Sequence, residues 1–226
     1  MHILSINQEL SHPNLKIHSI SLSQLSQIKE IEKYDYIVLS GGDGTIRRTV
    51  KTLQDKSLNA CFILNPSGSF NVIAKQHSVP QVTAILEQIA KGNDIQHKTQ
   101  AYHSLNDEIF LFSAGNMGDL QHIFLAENLR FGWLKKGMFK YVLAVIFLLP
   151  FHLLMTPVML LNSQKFFIFT PLHFIKKFGT FYGKVNTMEI DLKNDYNIIE
   201  LDGDLVTIPS AILKIKEEGH IKIATL

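Results

Sequence analysis

The amino-acid sequence predicts an α/β protein: an N-terminal domain built on a parallel sheet, followed by a C-terminal antiparallel, β-sandwich-like domain. Apolar strands alternate with helical segments through the first hundred residues, which is typical of parallel sheets. Short β-rich runs separated by turns fill the second half, which is typical of antiparallel sheets. The character of the chain changes between Gly92 and Gln100, so we place the two domains at residues 1–95 and 96–226.

In the first half, four apolar runs are predicted strands and three segments are predicted helices. The strands are 2–6, 15–20, 36–39 and 60–64, and the helices are 23–33, 45–56 and 80–91. Pro80 suits the first turn of the last helix, and Gly92 suits its end. Because βα units place parallel strands side by side, we expect the loops after Leu39 and Leu64 at the same edge of the sheet.

In the second half, most of the predicted elements are short strands. They are 109–112, 157–161, 166–170, 187–192, 197–201, 212–215 and 221–224. The segment 141–161 carries no formal charge and is long enough to span a bilayer. Pro150 and Pro157 interrupt it, so we predict a helix that ends near Leu149, a turn at Pro150 and a buried strand through Leu161.

The residues just before this apolar segment are basic and aromatic. They are Trp133, Lys135, Lys136, Phe139 and Lys140. This composition is typical of an interfacial helix with a cationic rim and indicates a peripheral contact with a membrane. A core helix with a solvated basic end is an equal alternative.

Composition limits the classes of function. Hydrophobic residues make up 46% of the 226 residues and charged residues 19%, which excludes a disordered chain. A net charge of +2 without a basic stripe disfavours nucleic acid as a partner. The single cysteine, Cys61, cannot form an internal disulfide, which fits a cytoplasmic protein. None of the 10 histidines has the spacing of a zinc site.

The most informative motif is Gly-Gly-Asp-Gly-Thr at residues 41–45, between a predicted strand and a predicted helix. Glycine lets the backbone take positive φ and approach a ligand closely. The free N–H groups at the start of the following helix face an anion, which the helix dipole also favours. Asp43 repels phosphate, so its expected task is to hold Mg²⁺ or to accept a proton. A plain turn is the alternative interpretation.

A second loop, Asn-Pro-Ser-Gly-Ser-Phe-Asn at residues 65–71, follows the strand that ends at Leu64. It offers hydroxyl groups, a glycine and a helix start. On its own this is a weak signal. At the same sheet edge as the first loop, it predicts a cradle for the phosphates of a nucleotide.

Together the two loops resemble the diacylglycerol kinase catalytic domain family, which includes bacterial lipid kinases and sphingosine kinases. That family has a Gly-Gly-Asp-Gly-Thr-like loop and then Pro-x-Gly-Ser/Thr-x-Asn, with an alanine shortly after. Here these are residues 41–45, residues 66–71 and Ala74, and Ser69 and Val72 are closer to the sphingosine kinase variant. The resemblance implies transfer of the γ-phosphoryl group of ATP, with Mg²⁺, to a diacylglycerol- or sphingoid-type lipid hydroxyl.

The resemblance also implies roles for individual residues. Those expected to hold the nucleotide are Gly41, Gly42, Gly44, Thr45, Ser67, Gly68, Ser69, Asn71, Arg130 and Lys135. Asp43 and Asp204 are the expected catalytic carboxylates; Asp204 ends an Asp-Gly-Asp sequence where the family has Asp-Gly-Glu. Asp119 is expected to orient the polar head of the lipid. A helix cap, a solvated charge and a hairpin turn are the alternative interpretations of Asp119, Arg130 and residues 202–203.

Three departures from the family pattern leave alternatives open. Gln8 and Glu9 follow Asn7 where the family often has Asn-Pro-x-x-Gly and a helix, so we predict that the first helix is deleted. Arg48 stands where lipid kinases usually have glutamate, and the side chain of Asp204 is one methylene shorter. A catalytically degraded lipid- or nucleotide-binding relative is therefore one alternative.

An NAD kinase-like phosphotransferase is the other alternative, because that family shares Gly-Gly-Asp-Gly-Thr. Its Asn-Glu pair is missing here, and residues 178–183 are only a faint echo of its Thr-Gly-Ser-Thr-Ala-Tyr-like loop. We therefore expect a cytoplasmic lipid kinase that works at the inner membrane face. The oligomeric state stays open, with a homodimer through a strand edge as one option.

Overall fold

A computed structural model describes residues 1–56, 59–68, 70–116 and 139–226. The chain divides into two compact units, residues 1–103 with 218–226 and residues 104–217. The chain passes from one unit to the other at two points. Each point lies within a long strand, β5 (Gln96–Leu105) or β14 (Ile212–Thr225). As a statement about domains, the division at residues 95 and 96 stays a prediction.

The sheet of the first unit is built on four parallel strands. They lie in the order β2 (Lys16–Ile20), β1 (His2–Ile6), β3 (Tyr36–Gly41) and β4 (Cys61–Pro66), followed by the end of β14 and by β5. Lys222 and Ile223 of β14 pair in parallel with β4. In the register of β3 and β4, Gly41 lies opposite Pro66, so both strands end at the same point of the sheet edge.

Among the described residues of this unit, three segments form α-helices: α1 (Asp43–Leu53), α2 (Val72–His77) and α3 (Val82–Ala90). Apolar residues three and four positions apart form one face of α3, which packs on the sheet. The shared cluster contains Ile3, Val38, Ile63, Val82, Ile85, Leu86, Ile89 and Ala224. The predicted strands and the last two predicted helices of this half are confirmed, with ends that differ by up to three residues.

The connection between β1 and β2 contains no helix, as the sequence predicted. Residues 7–15 run as irregular chain, and Leu10 and Leu15 from this segment pack against the same apolar cluster as α3. In this irregular connection, two leucines thus cover part of the apolar face of the sheet.

The predicted α-helix at residues 23–33 is wrong. The segment forms two short 3-10 helices, Leu22–Gln27 and Ile31–Lys33. Its first part is rich in serine and glutamine, whose side chains bond the local backbone: Gln24 Oε1 accepts the backbone N–H of Ser21 at 2.9 Å. Such bonds compete with a regular helix, and the two helices bury only Leu25 and Ile31.

The second unit contains a six-stranded sheet that is mostly antiparallel. Its order is β13 (Asp204–Ile208), β12 (Asn197–Leu201), β7 (Ser113–Gly115), β8 (Phe167–Phe169), β10 (Phe181–Tyr182) and β9 (Lys177–Phe178). Among these neighbours only β8 and β10 are parallel. The unit also holds β6 (Glu108–Phe110) and β11 (Thr187–Asp191), which pairs antiparallel with the first part of β14. The predicted fold class, a parallel sheet followed by an antiparallel one, is confirmed.

The main helix of the second unit is α4 (Phe139–Leu161), and the predicted turn at Pro150 and strand at 157–161 are wrong. Each proline removes one helical hydrogen bond and costs about 3 kcal/mol. Pro150 and Pro157 are both exposed and two turns apart, so they lie on one solvent-facing side. Water can bond the freed carbonyl groups on that side, which lets the helix continue.

Over the part of the chain that the structure describes, no helix is long and apolar enough to cross a membrane.

Candidate phosphate-binding site

The first glycine loop joins β3 to α1. Gly41 ends the strand, Gly42 caps the helix with extended backbone, and Asp43, Gly44 and Thr45 form the first turn. A Cβ atom on Gly41 would lie 2.3 Å from the hydroxyl oxygen of Thr45. The motif therefore needs glycine at position 41 because the threonine of the same motif occupies the adjacent space.

The second glycine loop joins β4 to α2 and closes on itself through Asn71. The backbone N–H of Gly68 donates to Asn71 Oδ1 at 3.0 Å, and Asn71 Nδ2 donates to the Gly68 carbonyl at 2.6 Å. Asn71 has a φ of 50° at the start of α2, a left-handed conformation that asparagine tolerates. This explains why the loop ends in asparagine.

The two loops touch through glycine on both sides. A Cβ atom on Gly68 would lie 2.8 Å from the Cα of Gly42, and one on Gly42 would lie 3.2 Å from the Cα of Gly68. The backbone N–H of Ser67 also donates to the Gly41 carbonyl at 3.1 Å. The structure thus brings Gly41, Gly42 and Gly68 together, as expected for loops at one edge of a parallel sheet.

Asp43 links the two loops. Its Oδ2 accepts the N–H of Val72 at 2.9 Å and its Oδ1 accepts the N–H of Ile73 at 3.1 Å, so a side chain of the first loop caps the helix after the second. The side chain is 7% exposed. Burial raises the pKa of Asp43, while the backbone hydrogen bonds and Lys75 oppose that shift. No local sequence pattern connects positions 43 and 72, and sequence reasoning missed this contact.

A polar network ties the ends of three neighbouring strands beside the loops. Gln8 Oε1 accepts the hydroxyl of Ser40 at 2.7 Å and also accepts from Asn65 Nδ2, which donates to Ser40 Oγ at 3.1 Å. Ser40 and Asn65 lie opposite each other in the register of β3 and β4. That pairing could have been found from the sequence, whereas the position of Gln8 depends on the irregular chain after β1.

Arg48 folds back onto its own helix. Its Nε donates to the carbonyl of Gly44 at 3.1 Å, one turn earlier in α1. The arginine that replaces the usual glutamate therefore contacts the backbone of the Gly-Gly-Asp-Gly-Thr motif.

In the second unit, the buried carboxylate of the Asp-Gly-Asp sequence is Asp202, not Asp204. Asp202 Oδ2 accepts the N–H of Leu111 at 2.7 Å, and its Oδ1 accepts the N–H groups of Phe112 and Ser113, each at 2.9 Å. Burial raises the pKa of Asp202 to about 7, these bonds oppose the shift, and the nearby charge of Glu200 adds to it. Asp204 is half-buried at the start of β13, opposite Leu201.

A hairpin turn is the alternative interpretation of residues 202–203 from the sequence, and sequence reasoning missed this anchor. The turn is real: Asp202 has a φ of 51° and Gly203 a φ of 90°, the left-handed pair that Asp-Gly favours in a two-residue hairpin. What the sequence does not show is that the same aspartate reaches residues 111–113.

The other predicted site residues, Ser69, Asp119, Arg130 and Lys135, lie outside the described residues. Within residues 1–56, 59–68, 70–116 and 139–226, no three histidine, cysteine, aspartate or glutamate side chains come together as a set that could hold a metal ion.

Comparison with known proteins agrees with this geometry. Residues 8–100 match the family model of the diacylglycerol kinase catalytic domain. No curated protein matches the chain. The solved structure of a "putative diacylglycerol kinase" from Bacillus anthracis str. Sterne aligns with 100% of this chain and 96% of its own, at 14% identity and a TM-score of 0.57.

Two further structures from the same organism, one named a "putative diacylglycerol kinase" and the other a diacylglycerol kinase, align over shorter stretches at 19% identity and a TM-score of 0.40. The chain spans 46% and 52% of their lengths. The full-length alignment shows the fold. Residues 8–100, the segment that carries both glycine loops, are similar to the diacylglycerol kinase catalytic domain family.

Proposed function

We propose that this chain is an ATP-dependent lipid kinase that transfers the γ-phosphoryl group to the hydroxyl of a diacylglycerol- or sphingoid-type lipid. The observation that carries the proposal is the pair of glycine loops, held together by Asp43, inside the segment that matches the diacylglycerol kinase catalytic domain. The family match supports a lipid kinase, while ATP and the acceptor are the proposed part.

The loops suit phosphate because their backbone is open to a ligand. Gly42 and Gly68 have no side chain at their contact, and α1 directs the positive end of its dipole towards the first loop. The proposed phosphate ligands in the described residues are the predicted ones: Gly41, Gly42, Gly44, Thr45, Ser67, Gly68 and Asn71. Arg130 and Lys135 are proposed to balance the phosphate charge, and Asp119 to orient the lipid head.

Asp43 retains capacity for chemistry although both of its oxygens are engaged. A carboxylate offers about four lone-pair positions, and two backbone N–H groups occupy only part of them. The raised pKa of this buried carboxyl suits a group that takes the proton of an acceptor hydroxyl. Asp204 is proposed as the second catalytic carboxylate.

Mg²⁺ is the proposed metal, and the donor set fits it. In nucleotide sites Mg²⁺ binds one or two carboxylates together with substrate phosphates and water, so Asp43 and the nucleotide suffice without a group of three protein ligands. When bound, the ion would neutralise the charge that develops on the transferred phosphoryl group.

A lipid acceptor implies work at a bilayer, so we also propose a peripheral position at the inner membrane face. The exposed apolar side chains of α4 support this proposal: Val142, Ile146, Phe147 and Leu149 are each 48% to 68% exposed.

The test is transfer of label from γ-labelled ATP and Mg²⁺ to a mixed lipid extract, with NAD as a parallel acceptor. We expect a labelled product in the organic phase, and we expect Asp43→Asn to abolish most of it. Asp35→Asn is the matched control, because Asp35 also accepts a backbone N–H, that of His2 at 2.8 Å, but lies before the amino end of β3. Full activity of Asp43→Asn would overturn the assignment of that residue.

Two other results would overturn the proposed reaction itself. Label on NAD alone would move the chain to the NAD kinase-like alternative. Absence of transfer, together with absence of ATP binding by calorimetry, would establish a degraded relative, and Arg48→Glu would be the first reversion to make.

A further inference from the structure

A long part of the sequence carries positive charge only. Between Glu127 and Glu189 the chain has no aspartate or glutamate. Its charged residues there are Arg130, Lys135, Lys136, Lys140, Lys165, Lys176, Lys177 and Lys184. This acid-free segment includes α4 and most of the phenylalanines of the chain, so basic and apolar residues are concentrated together.

Within this segment, residues 173–178 expose two phenylalanines with two lysines between them. Phe174 is 73% exposed and Phe178 is 67% exposed. Lys176 and Lys177 are exposed as well. Exposing two such side chains to water is unfavourable relative to burying them, so a surface of this kind calls for an occupant.

The chain holds this 173–178 loop in a defined shape. Its last two residues form β9, which pairs antiparallel with β10 around Gly179. The N–H of Gly183 donates to the Ile175 carbonyl at 3.0 Å, and Lys177 Nζ lies 5.2 Å from the ring centroid of Tyr182. The two phenylalanines therefore project from a short, hydrogen-bonded hairpin.

The loop is attached to the carboxyl end of α4. Thr180 donates through its N–H to the Leu160 carbonyl at 3.0 Å and through its hydroxyl to the Met159 carbonyl at 3.1 Å. Two side chains in this last part of the helix, Val158 and Leu161, are 57% and 85% exposed. The helix end and the loop thus combine exposed apolar groups with adjacent lysines.

From this arrangement we infer that the 173–178 loop and the end of α4 form a docking surface for a bilayer of anionic phospholipids. Aromatic and aliphatic side chains insert at the boundary between headgroups and acyl chains, while lysines bind the anionic headgroups. A second copy fits less well, because a two-fold contact through this surface would bring the same lysines towards each other. The inference rests on the proposed lipid acceptor. It is tested without nucleotide, so vesicle binding can fail while the proposed reaction still stands.

The test is co-sedimentation of the full chain with vesicles of phosphatidylglycerol and with vesicles of phosphatidylcholine. We expect binding to the anionic vesicles, at least tenfold weaker binding to the neutral ones, and weakening by added salt. Phe174→Ser/Phe178→Ser and Lys176→Glu/Lys177→Glu are each expected to reduce binding to anionic vesicles at least tenfold. Lys29→Glu/Lys91→Glu, which reverses two exposed lysines of the first unit, and Tyr196→Ser, at a 63% exposed aromatic, are expected to bind like wild type.

Lys176→Glu/Lys177→Glu removes the contact of Lys177 with the Tyr182 ring but leaves the backbone pairing of the hairpin intact, so it keeps the test valid even if the phenylalanine variant fails to fold. Absence of wild-type binding to anionic vesicles, equal binding to both vesicle types, or equal loss in the Lys29→Glu/Lys91→Glu control would overturn the inference. A wild-type dimer by light scattering that Phe174→Ser/Phe178→Ser converts to a monomer would also overturn it, in favour of a second copy as the occupant.

Discussion

Two aspartates, one in each unit, hold the backbone of a distant segment, and they do so in different surroundings. Asp43 accepts two N–H groups at the start of α2 and lies at an open edge of a parallel sheet, between two glycine loops. Asp202 accepts three N–H groups from residues 111–113 and is 4% exposed, inside the antiparallel part of the chain.

The contrast distinguishes a carboxylate that is placed to contact a ligand from one that stabilises the fold. The neighbours of Asp43 include glycines and Lys75, which leave room and favour negative charge. The neighbour of Asp202 is Glu200, which disfavours negative charge. Asp-Gly sequences are thus not equivalent, and the surroundings decide which one is a candidate for chemistry.

The largest expected difference between the two aspartates is in phosphate transfer. Loss of a general base typically costs about 10² to 10⁴ in rate, so Asp43→Asn is expected to lower lipid phosphorylation by about that factor. Asp202→Asn should leave the rate per folded molecule within a few fold. The measurement is initial rates with γ-labelled ATP, normalised to the folded fraction by circular dichroism; a larger loss in Asp202→Asn would reverse the comparison.

The next largest effect is on the pH dependence of the free energy of unfolding. Because the pKa of folded Asp202 is about 7, above its ordinary value of 3.8, the folded state holds the proton more tightly than the unfolded state. The contribution of Asp202 to the free energy of unfolding should therefore be full below about pH 4 and fall by about 3 kcal/mol as the pH rises from about 4 to about 7. Urea unfolding across this range measures it.

Asp202→Asn is expected to remove this contribution to the pH slope, and Asp204→Asn, at a half-buried site of the same turn, to keep it. A slope that survives in Asp202→Asn would show that another group is responsible.

A smaller effect concerns the contact between the glycine loops. A Cβ atom on Gly68 would lie 2.8 Å from Gly42, so Gly68→Ala must push the loops apart. We expect a loss of about 1–3 kcal/mol in the free energy of unfolding. Denaturant melts measure this loss, and unchanged stability would mean that the loops separate without cost.

The smallest expected effect lies at Gly203, in the turn beside Asp202. This glycine has a φ of 90°, and no atom lies within 4 Å of the place that a Cβ atom would take, so Gly203→Ala brings backbone strain and no clash. We expect a loss of about 1–2 kcal/mol, matched by Gly92→Ala, where φ is 76° and the space is equally open. Melting both variants checks this; a much greater loss at one position would point to a contact beyond backbone strain.

The first unit was largely predictable because its signals are local. Alternating apolar runs marked β1, β3 and β4, and the glycine motifs marked the loops at their ends. The contact between Asp43 and residues 72–73 was not predictable, because it depends on how two loops meet in space. The sequence places them far apart along the chain and shows only that both follow parallel strands.

The second unit was less predictable because its decisive contacts are longer in range. Pro150 and Pro157 predicted a break, yet α4 continues since both prolines lie on an exposed side. Asp202 reads as part of a turn, and its buried role appears only when residues 111–113 are brought to it. Strand runs such as 197–201 were found from their β-rich composition between turns, and in the structure their burial repeats every second residue.

The most direct test of the central claim, that the joined glycine loops form an ATP site, is calorimetric titration of Mg-ATP into three proteins. These are wild type, Gly68→Ala and Gly203→Ala. We predict binding by wild type, the same affinity in Gly203→Ala, and at least tenfold weaker binding in Gly68→Ala. Equal affinity in wild type and Gly68→Ala, or no binding by wild type, would contradict the claim.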